Sequence, residues 1–244
     1  MKLVISASPH ISSGATTRKI MGDVLIALLP AAVASVWLFG WRALLVTAVC
    51  AAACVFFEWG FEWLCHKEST IGDLSAVVTG VILAYNLPVS IPLWQAVFGC
   101  LVAIVAVKQL FGGIGKNFLN PALAGRAFML ASFASTMSGN WIDPAVSKAG
   151  IASTADIVTA ATPLTYLKGD DIAATFQTLT ETYSVGDMFL GKVGGSLGEV
   201  SALCLLVGGV YLLIRKVISW QIPVAYIGTV AILTLIAAPA GIDN

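Results

Sequence analysis

Apolar residues run along this chain in long blocks, not at alternating positions. Seven blocks read as membrane-spanning helices: 20–39, 41–64, 72–87, 93–111, 119–137, 196–214 and 218–238. A helix needs about 20 mostly apolar residues to cross the hydrocarbon, where the backbone must satisfy its own hydrogen bonds. The third block is short, and both extension and re-entry are open to it. Breaks are expected at Phe39-Gly40-Trp41, from Leu87-Pro88 through Ile91-Pro92, and at Gly112-Gly113-Ile114-Gly115. One stretch departs from the pattern. Segment 138–195 is polar, with Asp143, Asp156, Asp170, Asp171, Glu181 and Asp187 among Thr, Ser and Gly. A loop of that length with little apolar pattern points to function.

Composition agrees with the blocks. The chain is 58% hydrophobic and 11% charged, with a mean hydropathy of +0.92. Soluble domains carry about 25% charged residues, so the solvent of this chain is mostly lipid. Thirteen basic residues balance thirteen acidic ones, which points to neither nucleic acid nor an acidic partner. Residues 1–21 are too polar for a cleavable signal peptide, so the first block is expected to act as an uncleaved insertion signal.

Basic residues set the orientation. With the N-terminus in the cytoplasm, Lys2, Arg18, Lys19, Lys67, Lys108, Lys116, Arg215 and Lys216 fall on the inner side. Arg42, Lys148, Lys168 and Lys192 fall on the outer side, and Arg126 lies within a span. The bias places segment 138–195 outside. Cysteines add little: Cys50, Cys54, Cys100 and Cys204 lie inside apolar blocks and Cys65 at the end of one, with no spacing suited to zinc or an iron–sulfur cluster. They read as packing residues.

Two short threonine motifs remain. In the outer loop the sequence is Asp156-Ile-Val-Thr159-Ala-Ala-Thr162-Pro163-Leu164. Pro163 biases Thr162 toward extended backbone, leaving a hydroxyl that a modifying enzyme can reach. The twin, Ser13-Gly14-Ala15-Thr16, has His10 in place of the acid and no following proline; it reads as solvated N-terminal loop.

The first motif resembles the covalent flavinylation motif, in which a flavin transferase uses FAD to attach FMN to the threonine hydroxyl through a phosphodiester. Ala160 stands where many such motifs have Gly. Further stretches carry one family resemblance along nearly the whole chain. They are Ser8-Pro9-His10 before Thr17-Arg18-Lys19-Ile20-Met21, Asp73-Leu-Ser75 to Thr79-Gly80, Lys108-Gln109-Leu-Phe-Gly112-Gly113-Ile-Gly115-Lys116-Asn117-Phe-Leu-Asn120-Pro121-Ala122, and Gly125-Arg126-Ala-Phe128. Together they resemble the D-type subunit of the Rnf complex, the ion-translocating ferredoxin:NAD+ oxidoreductase. Its close relative is the B-type subunit of the sodium-pumping NADH:quinone reductase.

The resemblance implies an all-α integral membrane protein of the prokaryotic inner membrane, a polytopic bundle with urea-transporter-like inverted repeats. Ten spans are expected in that family and seven are present here. The implied organisation is an inner N-terminal segment, 1–19; a first five-helix repeat, 20–137; the outer loop, 138–195; and the start of a second repeat, 196–244. It implies covalent FMN on Thr162 with Asp156, Thr159 and Pro163 as the motif, and in some members a noncovalent riboflavin. Iron–sulfur and flavin subunits of the complex and a flavin transferase are the implied partners. The alternative is a transporter or channel-like protein without a redox role; a third possibility is a scaffold for neighbouring subunits.

Other polar residues are weighed separately. Asn120 before Pro121 suits a helix N-cap, and the glycine-rich approach with Asn117 equally suits a pocket for an anion or a polar ring. Arg126, a charge within a span, is expected to face the interior, a cavity or an anionic partner. Glu58 and Glu62, beside Trp59 and Trp63, read as interfacial anchors. Asp73 is placed to cap the third helix. His10 and His66 have no metal-like company, and no catalytic acid–base pair is seen.

Overall fold

A computed structural model of the chain describes residues 16–139, 141, 184–198 and 201–237. These residues form helices and turns, with no strand among them. Helices α1 (Thr17–Phe39) and α2 (Trp41–Leu64) are long and apolar enough to cross a membrane. They meet at Gly40, whose φ of 76° suits glycine and turns the chain between them. Thr16, the threonine of the N-terminal twin motif, is exposed and caps α1 by accepting from the Lys19 amide at 3.3 Å.

The third block is a one-turn 3₁₀ helix (Ile71–Asp73) followed by α3 (Ser75–Tyr85). Asp73 accepts from the Ser75 amide at 2.7 Å, the capping expected of it. The fourth block starts as α4 (Leu93–Leu101) and continues with wider π winding over Val102–Gln109. The three glycines that follow, Gly112, Gly113 and Gly115, have φ of 106°, 89° and 82°, so the predicted break is a left-handed turn. The fifth block divides at Phe133 into α5 (Pro121–Ser132) and α6 (Ala134–Gly139). Helices α7 (Val185–Leu190), α8 (Ala202–Ile214) and α9 (Gln221–Ala237) complete the described chain.

Helix α2 is the centre of the bundle, packed on α3 and α4, while α5 lies on the π segment and α3. The core holds Leu38, Val46, Leu83, Leu87, Ile91, Ile104 and Met129 with Cys50, Cys54 and Cys100, so these three thiols are packing residues as read from the sequence. Helix α8 returns to pack against α1. Helices α8 and α9 expose Leu206, Val210, Ile222, Val230 and Leu235, an apolar surface compatible with lipid.

The contacts define two ends. At one, Arg42 donates to the carbonyls of Val89 (2.8 Å), Ser90 (3.4 Å) and Ile91 (3.2 Å), and the Gly198 amide reaches the Tyr85 carbonyl at 3.0 Å. At the other, Arg215 after α8 forms an ion pair with Asp23 in α1 at 3.1 Å, joined by the Tyr211 hydroxyl at 3.1 Å. The Lys67 ammonium there reaches the Gln109 carbonyl at 3.4 Å.

Candidate functional site

The end that holds Asp23 and Lys67 also contains a buried polar cluster. Glu58 and Glu62 stand one helical turn apart on the inward face of α2, 0% and 3% exposed. Lys108, 2% exposed, comes from the π segment and pairs with Glu58 at 2.6 Å. Gln109 donates to Glu58 at 2.7 Å, and the Lys108 ammonium also donates to the Ser75 hydroxyl at 2.6 Å. Thr70 completes it: its amide donates to both Glu62 oxygens at 3.2 Å, and its hydroxyl meets Glu62 and Glu58. One oxygen of Glu58, Oε2, is buried without a hydrogen bond.

These positions correct one sequence reading. Glu58 and Glu62 are not interfacial anchors; Trp59 and Trp63, 49% and 70% exposed, take the outer face of α2 while the carboxylates turn inward. Lys108 stays at the end where the basic-residue bias counted it, but it is buried there and paired, not exposed at the flank of its span. The π winding explains its burial. Buried pairs recur on this helix as Gln95-Ala96, Gly99-Cys100 and Ala103-Ile104, each four residues on. Lys108-Gln109 follows after a step of five. Hydrogen bonds from Leu110 to Val105 and from Gly113 to Lys108, five residues apart, absorb that step and keep both polar residues on the buried stripe. Charged residues inside apolar blocks were the available signal.

Against this cluster lies a cavity of about 370 Å³ between the start of α1, α3, the π segment and the entry to α5. Its polar wall is Ser75, Thr79, Lys108, Asn117 and Asn120; its apolar wall includes Ile82 and Ile114. Asn120 caps α5, accepting from the amides of Ala122 (3.0 Å) and Leu123 (3.4 Å), with Pro121 in the first turn. Asn117 donates to the Leu119 carbonyl at 3.2 Å, while its own Oδ1 is buried without a partner. So the cap reading of Asn120 holds, and the same residue also borders a cavity.

Arg126 is not part of this cavity. It is half-buried on α5 and donates to the Asn86 side chain at 3.0 Å, an interior polar contact with an amide and not with an anion. Asp156, Thr159, Thr162 and Pro163 lie outside the described residues. Among the described residues no group of His, Cys, Asp and Glu could hold a metal.

Known proteins place the chain. A family model described as NQR2, RnfD, RnfE matches residues 4–243. The D-type subunit of the sodium-translocating ferredoxin:NAD+ oxidoreductase complex of Acetobacterium woodii is 45% identical over 97% of this chain and 70% of that protein. The proton-translocating counterpart of Clostridium ljungdahlii is 42% identical over 94% of this chain and 68% of that protein. The B-type subunit of the sodium-translocating NADH-quinone reductase of Neisseria meningitidis is 42% identical over 59% of this chain and 33% of that protein. The resemblance carried by the Lys108–Ala122 stretch and its companions therefore extends along the length of the sequence, and the chain belongs to the NQR2, RnfD, RnfE family.

Proposed function

We propose that this chain is the membrane electron-transfer subunit of an Rnf-type complex, which couples electron transfer between ferredoxin and NAD+ to movement of Na+ or H+. The single observation that carries the reading is the 45% identity with the Acetobacterium woodii protein over 97% of this chain. The motif Asp156-x-x-Thr159-Ala-Ala-Thr162-Pro163 supports it locally, because a pure transporter has no need of an accessible, modifiable threonine there.

In this reading the chain sits in the prokaryotic inner membrane with its N-terminus inside. Segment 20–137 forms a first five-helix repeat, 138–195 an outer loop, and 196–244 the start of a second, inverted repeat. The seven apolar blocks are its membrane crossings in this reading. Iron–sulfur and flavin subunits of the complex exchange electrons with it, and a flavin transferase matures it.

Thr162 carries FMN through a phosphodiester, and the cavity beside α5 takes a noncovalent riboflavin. Two features of the cavity fit a flavin ring. Its volume, about 370 Å³, lies in the range of small-molecule sites, and its walls are apolar except for a few polar groups. The unpartnered Asn117 Oδ1 offers an acceptor at its edge. A bound flavin supplies the redox chemistry; the protein supplies position and electrostatics. Asn117 and the Asn120 cap would hold polar edges, Ile82 and Ile114 would supply apolar contact for the ring, and Arg126 fixes α5 against Asn86. Arg126 is thus a positioning residue at one remove from the cavity.

Intact-mass measurement of the purified chain tests the main claim. A mass increased by one FMN less one water is expected, lost in Thr162→Val together with flavin fluorescence on a denaturing gel. Unmodified wild-type chain would remove the covalent-FMN reading. Full electron transfer by the Thr162→Val complex would leave the chain as a scaffold.

A further inference from the structure

We propose that Lys108 is the cation that recognises the flavin in the cavity beside α5, and that Glu58 is the residue that positions it. This rests on the reading of that cavity as a noncovalent flavin site. Among the described residues lining the cavity, Lys108 is the one charged side chain. It is also rigid: 2% exposed, with two of its three N–H donors taken by Glu58 and Ser75, each at 2.6 Å.

A lysine buried in an apolar span is costly, and a strut between α2 and the π segment could be made from apolar residues at no such cost. What an apolar strut cannot do is present a cation to a ring. The pyrimidine end of a flavin carries two carbonyl oxygens, and reduction makes that end more electron-rich. A fixed ammonium therefore binds the ring and favours its reduced form over the oxidised one. Glu58 neutralises the charge that burial would otherwise expel, and Gln109 and Thr70 hold Glu58 in turn.

The test uses the assembled, purified complex of wild type, the double variant Lys108→Met with Glu58→Gln, and Lys108→Arg. Acid-extractable riboflavin is measured separately from FMN that remains on the chain, and the midpoint potential of the extractable flavin is titrated. The double variant removes both charges together, leaving no stranded ion. Affinity for riboflavin is expected to weaken by about tenfold, the scale of one charge-assisted hydrogen bond. The potential of any flavin retained is expected to fall. Unchanged riboflavin content and potential in the double variant would overturn the role of Lys108 while leaving the cavity reading intact. A wild-type complex without extractable flavin would overturn both. If the double variant fails to assemble, Lys108→Arg decides. Flavin retained at a shifted potential supports the proposal, and an unshifted potential overturns it.

Discussion

A carboxylate cut off from water must be paired, and Glu58 shows how closely. At 0% exposure it accepts from Lys108, Gln109 and Thr70 through one oxygen while Oε2 has none. Breaking a buried pair by removing one partner costs about 3–5 kcal/mol, because the survivor is left as an uncompensated charge. Glu58→Leu is therefore expected to lower the thermal midpoint of the purified complex strongly, by stranding Lys108. Adding Lys108→Met to it should recover most of the loss, since both charges then disappear. A double variant no more stable than Glu58→Leu alone would mean that the loss does not come from a stranded Lys108. Much of this is legible in sequence once charge inside an apolar block is taken seriously. Glu58 and Glu62 are four apart, which places them on one helix face whatever else happens. Their partner is not legible, because it comes from a helix fifty residues further along and reaches the interior only through a change of winding.

At the scale of elements, the boundaries that sequence predicted best are those with a local cause. Gly40, the 87–92 prolines, the three glycines after Gln109 and the Asn120-Pro121 entry all end or start helices where expected. The apolar blocks predicted less well how long each helix runs. The fifth block breaks at Phe133, and the third and sixth are shortened to Ser75–Tyr85 and Ala202–Ile214. Hydropathy measures affinity for lipid or core, and a turn packed within apolar surroundings satisfies it as well as a helix does. Close packing sets the remaining geometry. A Cβ on Gly80 of α3 would lie 2.7 Å from the Ala51 Cα and the Cys50 carbonyl oxygen of α2. Both are backbone atoms, so α2 and α3 touch only because residue 80 has no side chain. Gly80→Ala should destabilise the complex by about 1–3 kcal/mol through overpacking. Gly60→Ala, on α2 with nothing within 4 Å, is the control. It is expected to leave the midpoint unchanged or raise it slightly, as Ala is the better helix former. Equal effects at the two positions would mean that the α2–α3 contact is looser than its geometry.

The whole molecule joins these scales through its two ends. The cavity, the buried ion pair and the Asp23–Arg215 bridge share one end with Lys67 and Lys116. Arg42 and the contact of Gly198 with Tyr85 lie at the other. In the proposed topology, taken from the basic-residue bias, the first end would be cytoplasmic and the segment with Thr162 outside. The two proposed flavins then sit on opposite faces of a hydrocarbon layer about 30 Å thick. One chain would offer an electron station on each side, with the partner subunits bridging between them. This arrangement makes a prediction that needs no cofactor at all. Cys65, exposed at the end of α2, is a native reporter for the cavity end. Asp170→Cys would place a second reporter in the segment proposed to lie outside. A membrane-impermeant maleimide added to intact spheroplasts, with the mass of this chain read afterwards, should modify position 170 and spare Cys65. Permeabilisation should then expose Cys65. Labelling of Cys65 in sealed cells with position 170 protected would invert the chain. The threonine would then face the cytoplasm, beyond the reach of an external flavin transferase, and the two-station arrangement would fall even if both flavins were found.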